Sequence, residues 1–148
     1  MFTYYIRSGA LLRPDGSLIS ICHSGYGDAM NDPSRCYEKN VGPLPPGFYA
    51  IGPAYHHPHL GPVTMNLDPL PGTDMRGRGS IRIHGANATP DLSDDSHGCV
   101  VDGRDGRLEL AASLDRILEV VPERPESQPL EPVVVEAEPT GPSGPKES

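Results

Sequence analysis

Residues 81–101 read IRIHGANATPDLSDDSHGCVV, and this stretch decides how the rest of the chain is interpreted. Ile81 and Ile83 alternate with polar residues, which predicts a strand with one buried face that ends at His84. A polar loop follows, and Cys99 then enters an apolar pair at positions 100–101. The pattern predicts that His84 and Cys99 lie on neighbouring strands.

His84 and Cys99 together have the properties that cysteine nucleophilic catalysis requires. A free thiol is mostly protonated at neutral pH, and a nearby imidazole can take its proton to form a thiolate–imidazolium pair. Backbone N–H groups of a tight turn can bind the oxyanion, and Gly98 allows such a turn to close. Because a single cysteine is most often a core residue, the order of the whole motif carries this hypothesis.

Short strands separated by turns are predicted on the N-terminal side of this motif. The chain has 148 residues with 17 glycines and 18 prolines, a composition that argues against a helical bundle. The predicted strands are residues 2–6, 18–22, 48–51, 63–67 and 80–84. The first two flank the turn sequence Pro14-Asp15-Gly16, which predicts an opening hairpin. All eight aromatic residues lie between Phe2 and Tyr55, so the first half should supply the bulky core.

A single helix and a tail are predicted on the C-terminal side. Residues 107–121 place Leu110, Leu114, Ile117, Leu118 and Val121 at helical spacing, with Asp105 able to cap the start and Pro122 after the end. Residues 122–148 hold seven prolines, six glutamates and no aromatic residue. Such a composition has little to bury, so a disordered Pro/Glu-rich tail is predicted.

Composition excludes several functional classes. The formal net charge of −8 provides no basic footprint for nucleic acid. No apolar run reaches the roughly 18–20 residues that span a bilayer, and no Sec-type signal is visible at the N-terminus. Three cysteines are too few for a disulfide framework, although one Cys22–Cys36 bridge stays open.

No metal and no cofactor are expected. His56, His57 and His59 are close enough in sequence to bind a metal ion. However, Pro58 stiffens the turn between them, and no aspartate, glutamate or cysteine lies nearby.

The order His-Gly, loop, Ser-His-Gly-Cys-Val resembles the signature of L,D-transpeptidases with a YkuD-type catalytic domain. Upstream stretches resemble the smaller branch of L,D-transpeptidase-related effectors delivered by type VI secretion: SGYG at 24–27, NDP at 31–33, VGPLPPGFYAIGP at 41–53, GPVTMNL at 61–67 and IHGAN at 83–87. This resemblance covers about residues 3–105. It implies a mainly β, YkuD-like β-sandwich catalytic domain over residues 1–121, with one C-terminal helix.

The resemblance also implies roles for individual residues. Cys99 would be the nucleophile, His84 the general base and acid, and the Gly85 carbonyl the group that orients the imidazole. The oxyanion hole would be lined by the backbone N–H groups of His97, Gly98 and Cys99, and Ser96 and Asn87 would contact the substrate or support the site. Independently of the resemblance, Arg76 and Arg78 could bind a substrate carboxylate, since guanidinium pairs with carboxylate in bidentate fashion. The competing interpretation for both arginines is a solvated basic loop.

The implied substrate is the peptidoglycan stem peptide, attacked at the diaminopimelate carbonyl with release of D-Ala. The loop between His84 and Ser96 is shorter than in the main branch, and no arginine or asparagine directly follows Cys99-Val100. Both departures favour L,D-carboxypeptidase or D-amino-acid exchange over cross-linking. Besides the stem peptide, expected partners are an immunity protein or a secretion apparatus. We expect synthesis in the cytoplasm and action in the periplasm or cell wall after delivery.

Other functions stay open at this stage. The same cysteine and histidine could serve a peptidase or amidase acting on another peptidoglycan bond. A catalytically inactive peptidoglycan-binding module could keep the fold without the reaction. A bacterial effector and a phage protein are equally compatible with these residues.

Overall fold

The computed structural model describes residues 1–86 and 98–124. Within these ranges ten strands form one sheet: β1 Phe2–Tyr5, β2 Ala10–Leu12, β3 Leu18–Ile21, β4 His23–Ser24, β5 Gly47–Ile51, β6 Tyr55–His57, β7 Gly61–Pro69, β8 Arg82–His84, β9 Val100–Val101 and β10 Ile117–Val121. One α-helix, α1, spans Arg104–Ala112. The predicted tail beyond residue 124 and the loop residues Asn87, Ser96 and His97 lie outside the described residues.

The sheet order is β3–β2–β1–β10–β5–β7–β8–β9–β4, and β6 pairs with β7 off this path. Two neighbouring pairs are parallel, β1 with β10 and β8 with β9, whereas the other pairs are antiparallel. The prediction of a mainly β domain with one helix is confirmed. Each of the five predicted strands is present, with bounds that differ by one or two residues.

Strands from along the whole sheet contribute to a shared hydrophobic core. Its fully buried members include Tyr4, Tyr49, Met65, Ile83 and Leu118, which come from β1, β5, β7, β8 and β10. Tyr49 donates a hydrogen bond of 2.6 Å to the Pro45 carbonyl, which satisfies its buried hydroxyl. The first half of the chain supplies the aromatic core residues, as predicted.

The predicted helix 107–121 is wrong in its second half. Helix α1 ends at Ala112, and Leu114, predicted on the buried face, is 99% exposed. Arg116 stabilises this C-terminal end of α1, because its guanidinium donates to the carbonyl of Leu110 in α1 and to the carbonyl of Gly52 after β5. The β-branched residues that follow form β10, in which Leu118 and Val120 are buried by alternation.

The start of α1 and the first turn also differ from prediction. The N-cap of α1 is Gly103, and Asp105 lies in the first turn without capping it. The turn at Pro14-Asp15-Gly16 joins β2 to β3 and not β1 to β3. The sequence pattern does not predict β2, Ala10–Leu12, because its three residues are all apolar and show no alternation of apolar and polar positions. In the described part of the chain, no helix has the length and apolar character to cross a membrane.

Candidate active site

His84 and Cys99 lie at adjoining positions of the parallel pair β8–β9. Ile83 lies opposite Val100, and His84 lies opposite Val101. Paired residues share a face of the sheet, and alternate residues along a strand share a face. Cys99 immediately precedes β9, two residues before Val101, so strand alternation extended to Cys99 predicts its side chain on the face that carries His84. Both side chains are enclosed: His84 is 0% exposed and Cys99 is 4% exposed.

The His84 ring is oriented by the residue that follows it. Its Nδ1 lies 2.9 Å from the Gly85 carbonyl oxygen. A carbonyl oxygen only accepts hydrogen bonds, so this contact requires the proton on Nδ1 and places the basic lone pair of the neutral ring on Nε2. The His84 backbone is held as well, because the Asp102 amide donates to the His84 carbonyl at 3.0 Å.

The turn before Cys99 accepts only glycine. Gly98 has φ +101°, in the left-handed region that side chains rarely adopt. A Cβ at this position would also collide with the Arg78 guanidinium and lie 3.0 Å from Ile81 Cδ1. The Cys99 Sγ lies 3.9 Å from the Ser80 carbonyl oxygen, within range of a weak S–H···O contact.

Ser24, in the upstream motif SGYG, holds this turn from behind. The fully buried Ser24 hydroxyl donates to the Gly98 carbonyl at 3.3 Å and accepts from the Leu44 amide at 3.1 Å. The Ser24 backbone is paired with Asn31, whose side chain accepts from the Ser24 amide at 3.0 Å. The SGYG and NDP motifs therefore support the cysteine turn, a role that sequence reasoning missed although it had singled out both motifs.

Arg78 links the upstream loop to the same turn. It is 6% exposed, and it donates to the backbone carbonyls of Cys36, Gly42 and Pro43 at 2.5, 3.2 and 3.2 Å. Burial lowers the pKa of Arg78, while the ionisable groups of Cys36, Tyr49 and Cys99 act in the opposite direction. A guanidinium stays protonated in proteins, so Arg78 places a fixed positive charge beside Cys99. The solvated-loop interpretation of Arg78 is wrong.

Arg76 is placed differently. It is exposed, its Nε lies 3.4 Å from an Asp74 carboxylate oxygen, and its guanidinium carbon lies 4.1 Å from the centre of the Tyr37 ring. Substrate binding by either arginine stays a prediction.

In the histidine cluster, His57 Nδ1 accepts hydrogen bonds from the amides of His59 and Leu60 at 3.0 and 3.1 Å, so this ring stabilises the turn.

The other two cysteines are free, so the Cys22–Cys36 bridge does not form. Burial, followed by the charge of Asp102, raises the pKa of the Cys22 thiol far above its usual range. Burial also raises the pKa of Cys36, against an opposing effect of Arg78. Both thiols are therefore kept protonated, and neither has the environment of a nucleophile.

Asp102 and Arg107 are further parts of the site that sequence reasoning missed. The buried Asp102 carboxylate accepts from the Ser20 hydroxyl and from the Gly103 amide, each at 2.7 Å. Arg107, 8% exposed, donates to the Asp102 carbonyl at 3.1 Å and to the Pro62 carbonyl at 2.8 Å. The signal in the sequence that could have pointed to these two residues is that they follow the Ser-His-Gly-Cys motif closely.

Arg78→Gln is expected to raise, by about one pH unit, the pH at which the alkylation of Cys99 by iodoacetamide reaches half of its maximal rate. Removing a positive charge beside a thiol disfavours the thiolate. The rate is followed by mass spectrometry of the peptide that contains Cys99, which separates it from Cys22 and Cys36. Arg7→Gln removes an exposed arginine paired with Glu123 and serves as the charge-matched control. An unchanged alkylation profile in Arg78→Gln would mean that Arg78 supports the fold alone.

Comparison with family models assigns most of the chain to a family. The model of a family described as the Tlde1 domain matches residues 20–120. The matched range contains His84, Cys99, Ser24 and Arg78. No curated protein matches the chain, and no solved structure matches it.

Proposed function

The chain belongs to the Tlde1 domain family, and we propose that it performs cysteine-dependent acyl transfer on peptidoglycan stem peptides. The family comprises L,D-transpeptidase-like effectors of type VI secretion, so membership implies an enzyme with cell-wall-related activity. The observation that supports the specific reaction is the parallel pairing of β8, which ends at His84, with β9, which Cys99 immediately precedes, together with the contact between His84 Nδ1 and the Gly85 carbonyl.

Acylation would begin with proton transfer from the Cys99 thiol to Nε2 of His84. The thiolate attacks the carbonyl carbon of diaminopimelate, and the carbonyl oxygen takes up the negative charge. The amides of Gly98 and Cys99 belong to the tight turn and are the described candidates for oxyanion donors. When the intermediate collapses, the C–N bond breaks, and His84 gives its proton to the departing amine of D-Ala. A thioester on Cys99 remains.

Deacylation would use His84 a second time. Water or the amine of a free D-amino acid loses a proton to Nε2 and attacks the thioester carbonyl. The C–S bond breaks, and the proton returns to the sulfur. Water yields a tripeptide stem, whereas a D-amino acid yields an exchanged tetrapeptide. The enzyme returns to its starting state in both cases, so no oxidant or cofactor enters the balance.

Three buried contacts support Cys99 as the nucleophile over Cys22. Arg78 supplies positive charge beside it, and Gly98 and Ser24 fix the turn that carries it. Cys22 faces the carboxylate of Asp102, a negative charge that opposes thiolate formation. The electrostatic environments of the two thiols are therefore opposite in sign.

The site of action and the partners follow from the same proposal. The proposed substrate is the stem peptide of the cell wall, so the enzyme would act in the periplasm after delivery. An immunity protein in the producing cell and the secretion apparatus are the proposed protein partners. None of these partners is needed for the test of the reaction itself.

Purified sacculi treated with the protein are expected to gain tripeptide stems at the expense of tetrapeptides. Added D-methionine should appear in exchanged tetrapeptides, and directly linked diaminopimelate–diaminopimelate dimers should be scarce. Mass spectrometry of the digested sacculi identifies all three products. Abundant new dimers would show a cross-linking transpeptidase, and cleavage at a different bond would show a peptidase or amidase. An unchanged profile would favour a binding module.

A further inference from the structure

A second feature of the site is a cavity of about 530 Å³ that begins at Gly85, the residue after His84. His23 and Val101, which pair with each other across β4 and β9, line it on the face that carries His84. The cavity therefore continues from the His84 end of the candidate dyad. Nothing in the reaction described above uses it.

Arg107 projects a buried cationic group against this cavity. Its Nε and Nη1 atoms are occupied by the backbone carbonyls of Asp102, Pro62 and Val63. Its Nη2 lies against Gly85, where an added Cβ would approach it to 2.7 Å. Among residues 1–86 and 98–124, no acceptor is hydrogen-bonded to Nη2. A side chain more than nine-tenths buried thus retains donor capacity beside the cavity wall.

The wall next to Arg107 is positive. Arg104 lines the cavity. Burial lowers the pKa of Arg107, the charge of Asp102 opposes that shift, and the charge of Arg104 adds to it, so Arg104 lies within electrostatic range of Arg107. Helix α1 begins here, and its N-cap Gly103 offers no side-chain acceptor to the first-turn amides. Among the described residues of the lining, the carboxylate is that of Asp102, whose Oδ1 accepts from Ser20 and from the Gly103 amide. In the described lining, two arginines and a helix N-terminus thus face one acid, Asp102, and Asp105 lies in the first turn of α1 outside that lining.

Part of the remaining wall is apolar. Ile21, Leu60 and Pro62 line the cavity, and Ile21 is exposed at its edge. A ligand that fits both walls has a carboxylate at one end and a small or apolar side chain beside it. An amino-acid residue with a free carboxyl group meets this description, and the volume exceeds that of alanine.

We propose that Arg104 and Arg107 bind the terminal carboxylate of the D-residue that leaves on acylation or enters on exchange. The inference rests on the proposed function, because His84 must reach the amine of that residue. The group protonated by His84 lies on the His84 side of the scissile bond, and the cavity begins there. The apolar wall would accept side chains larger than that of alanine, so the same subsite would admit D-methionine.

The test compares a tetrapeptide stem that ends in D-Ala with the same stem ending in D-alaninamide. The wild-type protein should have a higher kcat/KM for the free acid. Arg104→Gln should lower kcat/KM for the acid about tenfold and leave the amide nearly unchanged, since a charge-assisted hydrogen bond is lost only with the acid. Arg104 is exposed, so this change spares the core. Arg7→Gln removes the same charge away from the cavity and controls for long-range attraction.

A binding measurement separates this inference from the reaction. N-acetyl-D-alanine, titrated into the Cys99→Ala protein, should shift the amide NMR signals of Gly85, Ala86 and Gly103, and N-acetyl-D-alaninamide should not. Binding without stem turnover by the wild-type protein would refute the reaction and keep the carboxylate subsite. Turnover with equal kcat/KM for acid and amide, or an equal loss for both in Arg104→Gln, would refute the subsite.

Discussion

Cys99→Ala is expected to abolish stem-peptide turnover, with a loss of about ten-thousandfold or more. Alanine offers no nucleophile, and residual rate enhancement can come only from binding and the oxyanion donors. Turnover is measured by the release of D-Ala from a tetrapeptide stem. In the wild-type protein, intact-protein mass spectrometry should detect a tripeptide thioester that Cys99→Ala lacks. Undiminished turnover in this variant would disprove the assignment of Cys99.

Stability provides the check that this loss is chemical. Cys99 is buried, but only one sulfur atom is removed, so the free energy of unfolding should fall by about 1 kcal/mol. Cys36→Ser and Cys22→Ser are the matched controls among the thiols. Each should keep activity in the folded fraction, although a hydroxyl in the buried place of Cys22 will cost stability. A loss of activity in folded Cys22→Ser would mean that the wrong thiol was chosen.

The candidate dyad could be predicted from the sequence because its residues lie in one short segment. His84 ends a strand with clear alternation, and Cys99 enters an apolar pair only 15 residues later. Neighbouring strands joined by a loop of this length commonly pair, so proximity follows from local pattern. The contact between His84 Nδ1 and the Gly85 carbonyl is equally local, because it joins consecutive residues.

The support around the dyad could not be derived in this way because its contacts are distant in sequence. Arg78 reaches Cys36, 42 residues away, and Ser24 reaches Gly98, 74 residues away. A side chain that donates to backbone carbonyls leaves no residue-type pattern at the other end, since every residue has a carbonyl. Composition suggested a solvated loop for Arg78, whereas the fold buries it.

The helix error has a different cause. Residues 110–121 satisfy a helical period, yet Ile117–Val121 also satisfy the period of a strand with Leu118 and Val120 inward. Tertiary context decides between these patterns: β10 fills the place between β1 and β5 and contributes two core residues. A helix over the same residues would leave those two strands without their shared partner. The apolar residues of this segment fit both the period of a helix and that of a strand, so the local pattern alone does not decide between the two.

His84→Ala is expected to slow acylation a hundredfold to ten-thousandfold, about the range of general acid–base catalysis. His84 would act twice in this step, because it takes the thiol proton and then protonates the departing amine. The rate of thioester formation is measured by rapid quench and intact-protein mass spectrometry. His84→Gln tests the same function with a side chain that can hydrogen-bond but cannot transfer a proton, and it should be similarly slow.

His97→Ala provides the decisive comparison, because the two histidines flank the same candidate site in sequence. The predicted contribution of His97 is a backbone N–H, which alanine retains, so this variant should keep most of the wild-type rate. For an activated stem-peptide thioester, whose thiol leaving group needs no proton, the loss in rate from wild type to His84→Ala should be smaller than the loss for the D-Ala amide. That partial rescue follows if proton delivery to the amine is part of the His84 function. Equal losses in folded His97→Ala and His84→Ala, with no rescue by the activated thioester, would mean that the general base has been assigned to the wrong histidine.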